Sequence, residues 1–419
     1  VMTQTLPTLA DLVAAHMDVP KRAFVPGVTR IPLSVPTYGP EEVTEALDSL
    51  LSTYVTMGKK VKRFEEMFAE YIGVKHAVMT NSGSSANLLA MTALGLQPGD
   101  EVITPAVTWA TTVFPIAQTG AVPVLVDVDL ETYNIDPDAI EEAITPKTRA
   151  IFLVHLLGNP CDMRRIQRIA RKHQLTLLED TCESHGAEYG SPTRLNQKVG
   201  SFGLMSTFSF FFSHHISTIE GGMVLTDSDK HAELVRSLRV FGWARDLPKA
   251  QQDNRGIDPR FLFMYPGYNF RPTEIQGAFG IHQLPRLEGF IERRRDNAQY
   301  WNEHLRPYQK HLMLPQEQPE TRHVWFGYPL TVRPAAPFKR KALVDFLESK
   351  GLETRPIMAG DMAVQPAMRW IPHRVAEPLN NAQYIHDHSF FIGNHHEVGL
   401  QERAAVVDYF REFMAGVGK

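Results

Sequence analysis

Apolar residues recur every three to four positions over residues 41–52, 61–73 and 84–95, and this spacing predicts three helices. Pro40 stands at the first position of the first of them, where its missing N–H costs nothing. Short apolar runs between turn residues follow: "EVITPAV" (101–107) and "VPVLVDVD" (122–129). Their composition predicts strands buried on both faces. A helix near 137–144, the strand "AIFLVHLL" (150–157), the helix "RRIQRIARKHQ" (164–174) and the strand "LTLLED" (175–180) continue the alternation. Strands alternating with helices of this length imply an α/β protein with a doubly wound, mainly parallel sheet. Ligands of such sheets bind beyond the carboxyl ends of the strands.

The pattern changes on either side of this region. Residues 1–35 predict an arm, with a short amphipathic stretch from Leu9 to His16 and prolines at 20, 26, 32 and 36. Residues 36–285 would form the large domain. The helical stretch 284–305 predicts a bridge into a smaller α+β domain (286–419), which carries "HVWFGYPLTV" and "KALVDFLESKGLETRPI".

Composition narrows the class. At 43% hydrophobic and 21% charged residues, 419 positions suffice for a large core. A net charge of -4 without a Lys/Arg stripe gives no footprint for nucleic acid, and no apolar run reaches membrane-span length. The amino-terminal stretch has no basic region followed by an apolar block, so a cytoplasmic location is expected. The only cysteines are Cys161 and Cys182, too few for a disulfide framework or an iron–sulfur cluster.

Four stretches can carry chemistry. "NSGSSANL" passes from small polar residues into a helix at about Ser84, so Ser84 and Ser85 are either simple caps or part of an anion site. In "LLEDTCESHGA", Glu179, Asp180 and Glu183 end a strand, where a carboxylate can cap a helix or hold a cationic ring nitrogen. Trp109, in "TPAVTWATT", is either packing or a flat face for a planar ligand. In "TFSFFFSHHISTIEGG", His214 and His215 are adjacent, so in an extended segment they would face opposite ways.

Taken in order, "NSGSSANL", "TPAVTWATT", "LLGNP", "LLEDTCESHGA", "TFSFFFSHHISTIEGG" and "PGYNFRPTEIQGAFG" resemble the DegT/DnrJ/EryC1/StrS family of sugar aminotransferases. These are fold-type-I enzymes, aspartate aminotransferase-like, that use pyridoxal phosphate (PLP). The resemblance implies that Ser84, Ser85 and Ser209 cradle the cofactor phosphate and that Trp109 stacks on its ring. It further implies that Asp180 pairs with the ring nitrogen and Glu183 lies near the phenolic oxygen. Asn269 would reach the phosphate in a second subunit, giving a homodimer with shared active sites.

Transaminating members carry a lysine five residues after the phosphate-site serine. Five residues after Ser209 stands His214, and no lysine occurs between Lys198 and Lys230. A histidine there resembles the branch of 3-dehydratases acting on NDP-4-keto-6-deoxyhexoses, and the absence of cysteine after Cys182 excludes its iron–sulfur type. "TMGKKVKRFE", "GWARDLPK", "WFGYPL", "GLETRPI" and "FFIGNH" add to the likeness with the cluster-free type that acts on GDP-4-keto-6-deoxymannose. Phe241 stands where that type is expected to carry a histidine, and "FVPGVTRIPLS" resembles the iron–sulfur type, so CDP and dTDP stay open beside GDP.

The resemblance implies C3 deoxygenation with the pyridoxamine form (PMP), made from L-glutamate, with release of 2-oxoglutarate and ammonia. His214 would be the catalytic base and His215 structural. Arg355 would meet glutamate's carboxylate or the sugar diphosphate, unless it forms a plain surface ion pair. His395 and His396 have no carboxylate at metal-ligand spacing, so no metal is expected. The alternatives are an aminotransferase that recruits another lysine and a non-catalytic PLP-binding protein.

Overall fold

The computed structural model describes residues 7–18, 23–190, 197–248, 256–376 and 378–417. Pro20 and Lys249, both used above, lie outside them. The four predicted runs become β2 (Glu101–Pro105), β3 (Val122–Val126), β4 (Thr148–Val154) and β5 (Thr176–Asp180), and the chain also forms β1 (His76–Thr80), β6 (Met205–Ser209) and β7 (Gly222–Thr226). Every residue of β2, β6 and β7 is buried, as strands covered by helices on both faces require. Periodicity does not separate β1 from the helix Lys59–Ile72 just before it, so this strand was not expected.

Further along come β8 (Leu312–Met313), β9 (Gly327–Val332), β10 (Thr354–Pro356), β11 (Arg374–Val375) and β12 (Ser389–Gly393). The large sheet has eight strands in the order β1-β7-β6-β5-β4-β2-β3-β11. It is parallel from β6 to β11, while β7 runs antiparallel to both of its neighbours. The carboxyl ends of β1, β4, β5 and β6 therefore share one edge. A four-stranded antiparallel sheet, β8-β9-β12-β10, carries most of the carboxyl-terminal strands. Two lie elsewhere: the short strand Thr321–Arg322 pairs with Glu188–Tyr189, and β11 pairs with β3 and is fixed by Arg374 on Glu101 at 3.0 Å.

The amino-terminal arm contains the helix Leu9–Met17, capped by Thr8 and Asp11. Beyond it, Ile31 bridges to Leu352 through two main-chain bonds, so the arm lies along the four-stranded sheet and ends at the shared strand edge. The long helix Leu287–Leu305 buries Ala298, Trp301 and Leu305 against that sheet and Leu287 and Ile291 against the large one. Among the described residues no helix is long and apolar enough to cross a membrane.

Candidate active site

Beyond the shared strand edge lies a cavity of about 630 Å³. One wall is the start of the helix Gly83–Ala93, whose N-cap is Ser82 rather than Ser84. The helix meets β6 so closely that a Cβ on Gly83 would stand 2.5 Å from Ser209 Cβ. Ser82, Gly83, Ser84 and Ser209 all line the cavity there. Ser85 does not, because its side chain turns inward and its Oγ lies 3.0 Å from Ser82 Oγ, to which its N–H also bonds. The first N–H groups of a helix have no intrahelical partner, so this corner presents donors and a positive dipole end to the cavity.

Asp180, the last residue of β5, forms the floor. Its Oδ2 accepts from Asn87 Nδ2 at 3.0 Å and Thr112 Oγ1 at 2.8 Å, and its Oδ1 accepts from Cys182 N–H at 3.1 Å. Three donors fix the orientation of the carboxylate. Glu183, three residues on, is buried and accepts one bond from Leu157 N–H at 2.7 Å. Burial outweighs that bond and pushes its pKa up to about 8. Trp109 stands at the N-cap of the helix Ala110–Gln118 and lies on the cavity wall 57% exposed.

The two histidines are not in extended chain. β6 stops at Ser209, and His214 N–H bonds back to the Phe211 carbonyl, closing a turn that returns the chain to antiparallel β7. The expectation of opposite faces from strand alternation is thus corrected: the turn separates the rings. His214 lines the cavity with its Nδ1 buried, which leaves Nε2 as the ring nitrogen on the cavity side. Burial and then the charge of Arg294 push its pKa down to about 3, so the ring is uncharged at neutral pH. His215 is fully buried behind it, with Nε2 3.0 Å from the Val324 carbonyl.

Arg355 lies at the cavity mouth, exposed, 3.3 Å from Glu353. Glu353 also takes Arg30 and the Leu33 N–H of the arm, so arm and cavity wall are joined there. Asn269 lies outside this chain's cavity, exposed, its Oδ1 accepting from Arg271 Nε at 3.0 Å. Phe241 adopts φ 62° and packs against Trp243, with the Arg271 guanidinium over its ring at 5.0 Å. His395 bonds the Pro32 carbonyl, and no group of three or more potential metal ligands occurs among the described residues.

Sequence reasoning missed several residues of the site. Asn87 and Thr112 orient Asp180, and Phe326 lies beside His214 with ring centroids 5.4 Å apart. An asparagine in a helix interior was the available signal for Asn87, since it is a poor helix former there. Phe326 and Arg294 carried no comparable mark.

The residues present suit a phosphorylated, planar, nitrogen-bearing ring. A glycine–serine corner at a helix start fits the phosphate, a carboxylate with three donors fits a ring nitrogen, and a flat indole fits the ring face. None of the described residues lining the cavity is a lysine. Residues 36–411 match the DegT/DnrJ/EryC1/StrS aminotransferase family. The chain belongs to that family. Its relatives include a GDP-4-keto-6-deoxy-D-mannose 3-dehydratase of Yersinia pseudotuberculosis, 42% identical over 385 residues, covering 89% of this chain and 95% of the relative. The Escherichia coli GDP-4-keto-6-deoxy-D-mannose-3-dehydratase, solved with hydrated PLP, is 39% identical with a TM-score of 0.83, over 91% of this chain and 98% of that one. A mutant form of a GDP-4-keto-6-deoxymannose-3-dehydratase solved with GDP-perosamine gives 38% and 0.83, over 91% and 99%. This family member therefore shares the fold of enzymes that bind the cofactor expected from its motifs.

Proposed function

We propose that this family member is a PLP-dependent 3-dehydratase that removes the C3 hydroxyl of an NDP-4-keto-6-deoxyhexose, GDP-4-keto-6-deoxymannose in the first instance. The observation that carries the reading is His214 on the cavity wall where transaminating members hold a lysine. PLP, in the pyridoxamine form made from L-glutamate, supplies an amine for the C4 ketone and a ring that accepts electrons.

The chain's own residues do the rest. Ser84 and Ser209, with the helix start at Gly83, hold the phosphate, and Asp180 keeps the ring nitrogen protonated. Trp109 provides the stacking face. Glu183, neutral through much of the physiological range, can donate a hydrogen bond to the ring's oxygen. His214 takes a proton at Nε2 and returns it to the C3 hydroxyl as that group leaves. Negative charge brought in by phosphate and diphosphate raises its proton affinity toward the working range. A histidine cannot hold the cofactor covalently as a lysine amine does, which favours loss of the hydroxyl over delivery of an amino group. Water then releases ammonia from the product. Arg355 meets the diphosphate or glutamate's carboxylate at the mouth.

The exposed position of Asn269, away from its own chain's cavity, supports a homodimer in which it reaches the second site. We place the cofactor site in residues 36–285, with 286–419 and the arm (1–35) completing its wall. Free Cys161 and Cys182 suit a reducing, cytoplasmic setting.

Incubation with PLP, L-glutamate and GDP-4-keto-6-deoxymannose, reading ammonia, 2-oxoglutarate and the sugar, tests the proposal. A 4-keto-3,6-dideoxy sugar with ammonia is expected. An amino sugar without ammonia would instead establish a transaminase, and no turnover across GDP, CDP and dTDP sugars would sink the dehydratase.

A further inference from the structure

Behind His214, away from the cavity, lies a third histidine that the mechanism above does not use. His185 is fully buried, enclosed by Phe68, Phe208 and Phe210 at ring separations of 6.2, 5.3 and 5.5 Å. Its ring stands 6.0 Å from that of His214 and 5.6 Å from that of His215. Four buried ring nitrogens in this cluster have no well-formed hydrogen bond: His214 Nδ1, His215 Nδ1 and both nitrogens of His185, whose nearest acceptor is the Ser209 carbonyl. A buried polar atom left unpaired is costly, and four of them around one point call for a common arrangement.

The polarity of that arrangement is fixed from its far end. The Val324 carbonyl can only accept, so the His215 nitrogen facing it, Nε2, carries the proton. A neutral imidazole has one donor and one acceptor, which makes His215 Nδ1 a lone pair. Burial together with the charge of Arg294 keeps all three rings neutral, so the rule passes along the cluster. The acceptors around His185 are the Ser209 carbonyl and the bare His215 Nδ1, so its N–H belongs on that side and its other nitrogen is bare. Ring separations of this size set the nitrogens at or just past hydrogen-bond reach, a gap closed by a small ring rotation or one ordered water.

We propose that His185 is a positioning residue that sets the tautomer of His214: donors running from His214 Nδ1 to His185, His215 and the Val324 carbonyl leave the His214 lone pair on Nε2, toward the cavity. This rests on the reading of His214 as the proton-transferring base. Without His185, an isolated imidazole distributes its proton between both nitrogens, and the molecules with Nε2–H cannot accept a proton from the cavity side.

The test uses the cofactor-loaded enzyme and nitrogen-15 histidine NMR. In the wild-type chain His214 is expected as the Nδ1–H tautomer. His185→Phe keeps the ring volume and removes the acceptor. It is expected to mix the tautomers and to lower kcat for dehydration at least about tenfold, with KM and the thermal midpoint near wild type. His185→Asn, which can still accept, is expected to recover much of that loss. Wild-type His214 carrying its proton on Nε2 would overturn the proposal, and so would a kcat within about twofold in His185→Phe. If His185→Phe does not fold, the wild-type tautomer decides alone. Dehydration by His214→Asn would overturn the underlying reading of the base instead. An inactive His214→Asn beside a fully active His185→Phe would sink only the role of His185.

Discussion

Glu179 and Glu183 are both buried and lie four residues apart, yet they meet different surroundings. Glu179 turns beneath the sheet edge and accepts from the N–H groups of Gly200, Phe202 and Gly203 at 2.7–2.8 Å, with His155 Nε2 at 3.1 Å. Glu183 lies on the cavity side with a single bond, from Leu157. The adjacent histidines share an unpartnered Nδ1 but differ at Nε2, which in His215 meets the Val324 carbonyl, while His214 lines the cavity. Burial alone therefore does not mark the site. Of the two glutamates, the one with spare hydrogen-bonding capacity faces the cavity, and the saturated one holds the edge in shape.

The largest effect that can break this contrast is in activity. His214→Asn is expected to lower dehydration by a factor on the order of 10²–10⁴, read as ammonia release, with folding intact. The saturated partner should fail differently. Glu179→Gln places an amide where a carboxylate receives three main-chain donors, and should cost on the order of 3 kcal/mol in thermal or denaturant unfolding. An unchanged midpoint would remove the distinction drawn here. His215→Asn should lose roughly 1–3 kcal/mol of stability from the Val324 contact and little of the cofactor binding.

Glu183 sharpens the contrast through pH. Its folded-state pKa of about 8 lies above the ordinary 4.5, so between those values the folded protein keeps a proton that the unfolded chain gives up. The contribution of Glu183 to stability therefore falls as pH rises from about 4.5 to 8. In the cofactor-free protein Glu183→Gln should flatten the stability profile in that window, and an identical slope in both proteins would contradict the assignment. The smallest effect belongs to exposed Arg355. Arg355→Gln should raise KM for the anionic substrates about tenfold with kcat nearly unchanged. An equal fall in kcat would place Arg355 in the transition state.

Much of the frame was legible in the chain. The runs that became β2, β3, β4 and β5 each carry a buried apolar stretch because helices cover both faces, and that leaves a plain mark in composition. β1 was hidden by following directly on the helix Lys59–Ile72, and β11 by having two residues and no apolar pattern of its own. Of the site, Ser84, Trp109, Asp180, Glu183, Ser209, His214 and Arg355 were named from motifs and now border one cavity. Ser85 was drawn inward by the Ser82 cap, a choice settled by which serine adopts the extended N-cap conformation. Asn87 and Thr112 escaped notice because their role is to face Asp180 from 93 and 68 residues away.

The sequence by itself determined which residue type stands at this place: five residues after Ser209 comes a histidine and not a lysine, and that count is independent of folding. Tertiary structure alone decided which of the two adjacent rings meets the cavity, because the turn at Phe211–His214 replaces strand alternation. It also decided that burial raises the pKa of Glu183 and that His185 lies behind His214. Both depend on how completely distant apolar residues exclude water from a polar atom, and no pattern local in the chain contains that.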